Sequence, residues 1–224
     1  MTLSEKLSSW WDGTRERAPE VWDAYIEFVR ELKAADVTRS ALRRGDPMPD
    51  FTLPDVEGRL ITARELIGGG PLVLSFFRGG WCPYCSMELQ ALQAIWPEIR
   101  RRGGALAAIT PDTGASFAAD KRANRLDYEL LSDVDNGVAL LFGLVFRVPA
   151  HIRALWLRLG IDLGARHGNR GKAWLLPVPA TYIVDRRGII RHADIDTDFR
   201  RRMEPAEILR RLGPRRDNPR VSKP

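Results

Sequence analysis

Cys82 and Cys85 are the residues of this chain best suited to chemistry, and they are its only two cysteines. A thiolate is a nucleophile, and two thiols this close can be joined and separated as a disulfide. In a reducing compartment, Cys-x-x-Cys indicates redox catalysis or metal binding more often than a structural bridge. A closed zinc site needs four ligands, and the three histidines are scattered along the chain. We therefore expect redox chemistry with no metal and no cofactor.

The elements on either side of this pair favour a reactive thiol. Residues 72–77 form an apolar run after a Gly-rich turn, which predicts a buried central strand. Apolar residues at helical spacing follow the cysteines and predict a helix, which Pro97 is expected to kink or divide. The N-terminus of a helix favours a thiolate through its free N–H groups and its dipole. Pro83 would stiffen the turn, and Arg78 would add positive charge near the sulfurs.

The remaining pattern predicts an α/β fold, with a central mixed sheet flanked by helices. Residues 148–177 fit no clean period and are interpreted as an insertion with a helix near 152–159. The other predicted elements are a parallel strand at 105–110, a helix at 116–125, a strand at 128–131, a helix at 138–144, a hairpin at 181–192 and a closing helix at 204–212.

The chain is expected to have three parts. Residues 1–45 are predicted to be a helical extension, 46–213 the main domain and 214–224 a basic tail. Pro19 suits a first helical turn, and an apolar stripe rich in aromatic residues follows it. Packing of this stripe on the protein's own core is the favoured interpretation, and contact with a second copy in a homodimer is the alternative.

Charge and hydropathy exclude several classes of function. The net charge is +6, with many arginines in residues 200–220. They alternate with Glu204 and Glu207, which favours a solvated helix face over a nucleic-acid site. No apolar run approaches the ~20 residues that span a bilayer, and the first residues show no signal pattern. We therefore expect a cytoplasmic protein without nucleic-acid or membrane partners.

Four segments resemble a known family. The sequence is similar to the peroxiredoxin-like branch of the alkyl hydroperoxide reductase/thiol-specific antioxidant (AhpC/TSA) family, within the thioredoxin-fold superfamily. The segments are GDPMPDFTL at 45–53, FFRGGWCPYC at 76–85, LSD at 131–133 and ATYIVD at 180–185. The resemblance implies a thioredoxin-like fold, antioxidant thiol chemistry and a site at the second segment, shaped by Trp81, Pro83 and Tyr84.

The same resemblance contains departures that affect residue roles. The family's spacing assigns its peroxidatic cysteine to Cys85, with Arg78 where a proline is expected and Cys82 where a Thr or Ser is expected. Pro179 replaces a later arginine and resembles the cis-proline of thioredoxins and glutaredoxins, in which Cys-Pro-Tyr-Cys also occurs.

Two mechanisms therefore stay open, with a sensor as a third hypothesis. In a peroxidase, Cys85 attacks a hydroperoxide, Cys82 condenses with it to a disulfide, and a thioredoxin-like dithiol restores both thiols. In a disulfide reductase, a more exposed Cys82 attacks the substrate disulfide and Cys85 resolves it, with Pro179 shaping the docking surface. A redox sensor would use the same disulfide to change a contact with a partner and would not turn over.

Overall fold

The computed structural model describes residues 1–168 and 174–213, and these form a mixed α/β fold. The predicted tail and part of the predicted insertion lie outside this range. The helices are α1 (Leu3–Arg17), α2 (Pro19–Ala34), α3 (Ala63–Gly68), α4 (Pro83–Arg101), α5 (Gly114–Ala123), α6 (Gly137–Leu141), α7 (Ala150–Arg158), α8 (Leu163–Arg166) and α9 (Pro205–Leu212). The strands are β1 (Thr52–Pro54), β2 (Leu60–Thr62), β3 (Leu72–Phe76), β4 (Ala105–Thr110), β5 (Glu129–Ser132), β6 (Val145–Arg147), β7 (Leu175–Pro177), β8 (Ala180–Val184) and β9 (Ile190–Ile195).

A five-stranded sheet in the order β5-β4-β3-β8-β9 is the centre of the fold. β3, β4 and β5 are parallel, whereas β8 is antiparallel to both β3 and β9. All five residues of β3 are fully buried. Because neighbouring strand residues point to opposite faces, both faces of the sheet are covered at its centre. The predicted central mixed sheet is confirmed.

The helix after the cysteines runs unbroken from Pro83 to Arg101, with Pro97 inside it. The expectation that Pro97 divides this helix is wrong. Proline removes one N–H from the ladder, while buried Leu89 and Leu92 before it and Ile99 after it hold both halves against the core.

The two N-terminal helices pack on the rest of the chain. Pro19 begins α2, as predicted, and Phe28 and Leu32 on this helix are buried. The Phe28 ring lies 5.9 Å from the ring of Phe146 and 6.0 Å from that of Trp156. This confirms that the stripe covers the protein's own core, and a homodimer contact stays a prediction. No helix of the described residues combines the length and apolarity needed to cross a bilayer.

Candidate active site

The turn between β3 and α4 is held by two aspartates. The Gly80 N–H donates to Asp112 Oδ2 at 3.1 Å and to Asp120 Oδ2 at 3.2 Å. A Cβ atom at Gly80 would lie 2.0 Å from Asp120 Cγ, and one at Gly79 would lie 2.6 Å from Asp112 Oδ2. Both positions therefore need glycine, because the carboxylates approach the backbone directly.

Arg166 of α8 ties these aspartates to the insertion. Its Nη2 donates to Asp112 Oδ2 at 2.7 Å and to Asp120 Oδ2 at 2.8 Å. Two carboxylates share one guanidinium. Burial raises the pKa of Asp120 to about 6, and the neighbouring Asp112 adds to this shift while Arg166 opposes it. Burial also lowers the pKa of His167 beside Asp112, so His167 supplies no second positive charge at neutral pH.

Cys82 occupies the N-cap of α4 and contacts a buried arginine. Its side chain is fully buried, and Arg78 Nη2 lies 2.9 Å from its Sγ. Cys85 follows one helical turn later, is equally buried, and both thiols are free. The expectation that Cys82 is the more exposed of the two is wrong, because both side chains are fully buried. Arg78 covers Cys82, and aromatic rings pack in turn against Arg78.

The pKa values of the two thiols are shifted in opposite directions. Burial alone would raise the pKa of Cys82, but the hydrogen bond from Cys85 and the charges of Arg78 and Arg202 hold that pKa well below its ordinary value. Burial raises the pKa of Cys85 well above its ordinary value, and its hydrogen bond to Cys82 raises it further. These opposite shifts favour ionisation of Cys82 and retention of the proton on Cys85.

Arg78 is a buried cation with no carboxylate partner among the residues that the structure describes. Its guanidinium carbon lies 3.9 Å from the ring centroid of Phe199, 5.2 Å from Trp81 and 5.8 Å from Trp156. Within the described part of the chain, its Nε and Nη1 have no hydrogen-bond partner. A buried charge needs an opposite charge. Cys82 is the group in contact that can supply it, so the arginine and the thiolate stabilise each other.

A second buried arginine lies on the other side, near Cys85. Arg202 Nη2 is 3.8 Å from Cys85 Sγ, and Arg202 Nε donates to Glu88 Oε2 at 2.6 Å. Both side chains are 3% exposed. Thr181 Oγ1 donates to the other Glu88 oxygen at 3.3 Å. Burial raises the pKa of Glu88, whereas Arg202 and Thr181 lower it. The charge of Arg202 is thus shared between a carboxylate and Cys85.

The remaining predicted site residues lie around this pair. Pro83 is the first residue of α4, and the buried Tyr84 ring packs 5.6 Å from Phe199. The Trp81 ring is 4.8 Å from that of Trp156. Pro179 is buried and precedes β8, whose first residue pairs with the last residue of β3. It therefore lies at the sheet end where the active-site turn begins.

The hypothesis that Pro179 follows a cis peptide bond is wrong. None of the described peptide bonds is cis. The Val178 N–H donates to the Leu144 oxygen at 2.8 Å, which carries the pairing of β6 and β7 up to Pro179. This extended segment leads into β8 with the trans bond that X-Pro sequences ordinarily prefer.

Several residues near the sulfurs were missed by the sequence analysis. Glu88 carried a usable signal, since a carboxylate three residues after Cys85 in a helix shares its side of that helix. Arg202 was placed on a solvated helix face, and this is wrong, because it precedes α9 and its side chain is buried. Nothing in the pattern identified Phe199, which the chain brings back from the far side of the hairpin. Among the described residues, no three His, Cys, Asp or Glu side chains group as a metal site requires.

The fold and the buried thiol pair define a thioredoxin-like thiol protein, and comparisons identify its family. The sequence model of the AhpC/TSA family matches residues 44–193, more than half of the chain. The chain belongs to the AhpC/TSA family.

Individual relatives agree with this assignment. A chloroplastic peroxiredoxin Q of Triticum aestivum is 24% identical over 163 residues, which cover 73% of this chain and 64% of that protein. The match thus spans less than two thirds of the relative's length. The crystal structure of peroxidoxin BcpB from Mycobacterium tuberculosis superposes with a TM-score of 0.59 at 22% identity, covering 76% of this chain and 96% of that one. A putative thiol:disulfide interchange protein DsbE from Chlorobium tepidum superposes at 0.52 with 18% identity, covering 77% and 100%. These structures establish the fold.

Proposed function

We propose that this protein is a thiol-dependent peroxidase that reduces hydroperoxides through a Cys82–Cys85 dithiol–disulfide cycle. The observation that carries the proposal is the 2.9 Å contact between Arg78 and the Cys82 sulfur, with the Cys85 thiol beside it. This arrangement provides a stabilised thiolate, a resolving thiol and a cation with two guanidinium nitrogens that have no hydrogen-bond partner among the described residues. Membership of the AhpC/TSA family supports the same reaction.

The reaction follows from these positions. The Cys82 thiolate attacks one peroxide oxygen, so that an S–O bond forms, the O–O bond breaks and Cys82 becomes a sulfenic acid. The departing oxygen carries negative charge, which Arg78 stabilises, and takes a proton from the Cys85 thiol. The resulting Cys85 thiolate attacks the sulfenic sulfur, forming the disulfide and releasing hydroxide, which becomes water.

Regeneration needs two electrons from outside the chain. We propose a thioredoxin-like dithiol as their source, since thiol–disulfide exchange would return both cysteines to the reduced state. A cytoplasmic location belongs to this proposal, because such a reductant must be maintained where the protein works.

The assignment of Cys82 as the attacking sulfur differs from the one that the family's spacing implies. That spacing favours Cys85, which lies 3.8 Å from Arg202. Two features favour Cys82 instead. Arg202 already pairs with Glu88, whereas Arg78 has the Cys82 sulfur as its anionic partner. The pKa of Cys85 is also raised by burial and by its hydrogen bond to Cys82, which favours a protonated Cys85.

Peroxide consumption with a thioredoxin system tests the reaction and the roles together, in wild type, Cys82→Ser and Cys85→Ser. We expect wild type to turn over and Cys82→Ser to lose the reaction. Cys85→Ser should react once and hold a sulfenic acid that a dimedone probe labels at Cys82. A sulfenic acid on Cys85 in Cys82→Ser, with Cys85→Ser inert, would reverse the roles. A wild type that never consumes peroxide would refute the peroxidase.

Disulfide reduction is the second candidate, favoured by the thiolate at the first cysteine of a Cys-x-x-Cys motif. Reduction of insulin disulfides by wild type, lost in Cys82→Ser, would support it. The complete burial of both sulfurs opposes it, because a protein disulfide must reach Cys82 directly. A protein that oxidises once with peroxide and is restored by no dithiol would instead be a sensor.

A further inference from the structure

Three aromatic residues from distant parts of the chain pack together beside Arg78: Trp156 and Phe199 contact its guanidinium, and Tyr25 contacts both of them. We name Tyr25, Trp156 and Phe199 the aromatic cover. Trp156 and Phe199 are 0% and 1% exposed, and both rings lie within 5.8 Å of the Arg78 guanidinium carbon.

The cover is a connected structure. Trp156 Nε1 donates to Tyr25 Oη at 3.0 Å. The Tyr25 and Phe199 rings meet edge to face at 5.3 Å. Phe28, one turn further along α2, contacts both Trp156 at 6.0 Å and Phe199 at 5.9 Å. Edge-to-face ring pairs and a buried hydrogen bond each stabilise the residues that they join. Together they favour the closed arrangement without a covalent link.

Contacts outside the cover hold the segments that carry it in place. Glu204 accepts hydrogen bonds from the N–H groups of Leu3 at 3.2 Å and Ser4 at 2.7 Å, so it binds the first turn of α1. The Arg200 guanidinium lies 4.1 Å from the Trp11 ring centroid. The N-terminal helices and residues 198–204 therefore form one unit. Most of this unit lies outside residues 44–193, the part that matches the family.

Burial makes access to Cys82 depend on a movement of the side chains packed around it. Both sulfurs have no exposed surface, and the Trp156 and Phe199 rings lie against Arg78, which contacts Cys82. Hydrogen peroxide is little larger than water and needs a small displacement of one ring, whereas a bulky hydroperoxide needs the cover to separate. Building on the proposed function, we propose that Tyr25 and Trp156 are specificity-determining residues that admit hydrogen peroxide and exclude bulky organic hydroperoxides.

The first test compares the rates at which hydrogen peroxide and cumene hydroperoxide oxidise the full chain. We expect wild type to prefer hydrogen peroxide, and Tyr25→Ala to reduce that preference at least about tenfold, the discrimination that pocket shape commonly gives. The matched control is Tyr25→Phe, which removes the hydroxyl and keeps the ring. It should retain most of the preference. An unchanged ratio in Tyr25→Ala would overturn the proposal.

The second test reads access to Cys82 without peroxide, so it holds even if the peroxidase activity fails. Wild type and the Tyr25 variants are alkylated with iodoacetamide and with a bulky pyrene maleimide, and Cys82 is quantified by mass spectrometry. We expect Tyr25→Ala to increase the rate of Cys82 alkylation by the maleimide much more than the rate of its alkylation by iodoacetamide. Equal acceleration of both reagents, or none, refutes the cover. If Tyr25→Ala does not fold, Tyr25→Leu replaces it in both tests.

Discussion

The two sides of the active site contain the same cation in opposite surroundings. Arg202 donates to Glu88 at 2.6 Å, so its charge is balanced by a carboxylate. Arg78 is surrounded by aromatic rings and donates to the Cys82 sulfur at 2.9 Å. Burial raises the pKa of Cys85 although Arg202 lies near it, whereas the hydrogen bond from Cys85 and the charge of Arg78 hold the pKa of Cys82 below its ordinary value.

A third, partly buried arginine differs from both. Arg166 is shared by Asp112 and Asp120, so that site has one carboxylate more than its cation balances. Burial is the main cause that raises the pKa of Asp120 to about 6, and the second carboxylate adds to the shift while Arg166 opposes it. The charge balance around each arginine therefore contributes, together with burial, to which neighbour titrates.

Removing the carboxylate that balances Arg202 should have the largest effect, a loss of stability. In Glu88→Gln, Arg202 keeps its charge in a buried site without a carboxylate, and we expect the free energy of unfolding to fall by about 3–5 kcal/mol. Urea denaturation at pH 7 measures this. The control, Thr181→Val, removes one hydrogen bond to Glu88 and should cost about 1 kcal/mol. Equal, small losses in both variants would show that Glu88 is not the counter-ion of Arg202.

Removing the unbalanced arginine should primarily affect reactivity. In Arg78→Met the apolar side chain suits the aromatic surroundings, but Cys82 loses the charge that lowers its pKa. We expect the rate of Cys82 oxidation by hydrogen peroxide at pH 7 to fall about a hundredfold. Stopped-flow kinetics measures the rate. Arg78→Lys keeps a charge in the same site and should recover part of it, and a full rate in Arg78→Met would contradict the ion pair.

The pH dependence of stability should have opposite signs at the two cysteines. The pKa of Cys82 is depressed in the folded protein, so its contribution to stability is complete above the unfolded pKa of about 8.5 and is lost as pH falls through the folded value. The stability difference between wild type and Cys82→Ser should therefore grow with pH up to about 8.5.

The pKa of Cys85 is raised, so its contribution has the reverse slope. Stability from Cys85 is present below the unfolded pKa and decreases as pH rises above about 8.5. Denaturation of wild type and both serine variants between pH 5 and pH 9.5 separates the two effects. Parallel curves for the two variants would show that the sulfurs do not differ in charge.

The smallest effect is expected at the Arg166 cluster. Because the pKa of Asp120 is raised from 3.8 to about 6, its contribution stabilises the fold below pH 4 and is lost as pH rises to 6. Asp120→Asn should remove that decline, because an amide does not titrate. Thermal melts between pH 4 and pH 7 test this. A wild-type decline that persists in Asp120→Asn would assign it to another group.

Much of the fold could be predicted because its signals are local. The apolar run of β3, the helix after the cysteines and the hairpin of β8 and β9 each result from patterns within a dozen residues. Only part of the site could be predicted from the sequence, and the reason is physical. Arg78 and Cys82 lie four residues apart, whereas Glu88 and Arg202 meet across 114 residues. Whether an arginine is solvated or buried depends on such long-range pairing, which cannot be deduced from the composition.

The contact between Glu204 and the first turn of α1 has a consequence for how the chain is made. Glu204 lies 201 residues after Leu3, so α1 emerges from the ribosome long before the carboxylate that fixes its end exists. Phe199 of the aromatic cover is also translated late. A nascent chain therefore lacks part of the packing around its cysteines until residues 199–204 have been made, more than a hundred residues after Cys85. The burial of the thiols is thus completed well after the thiols themselves are synthesised.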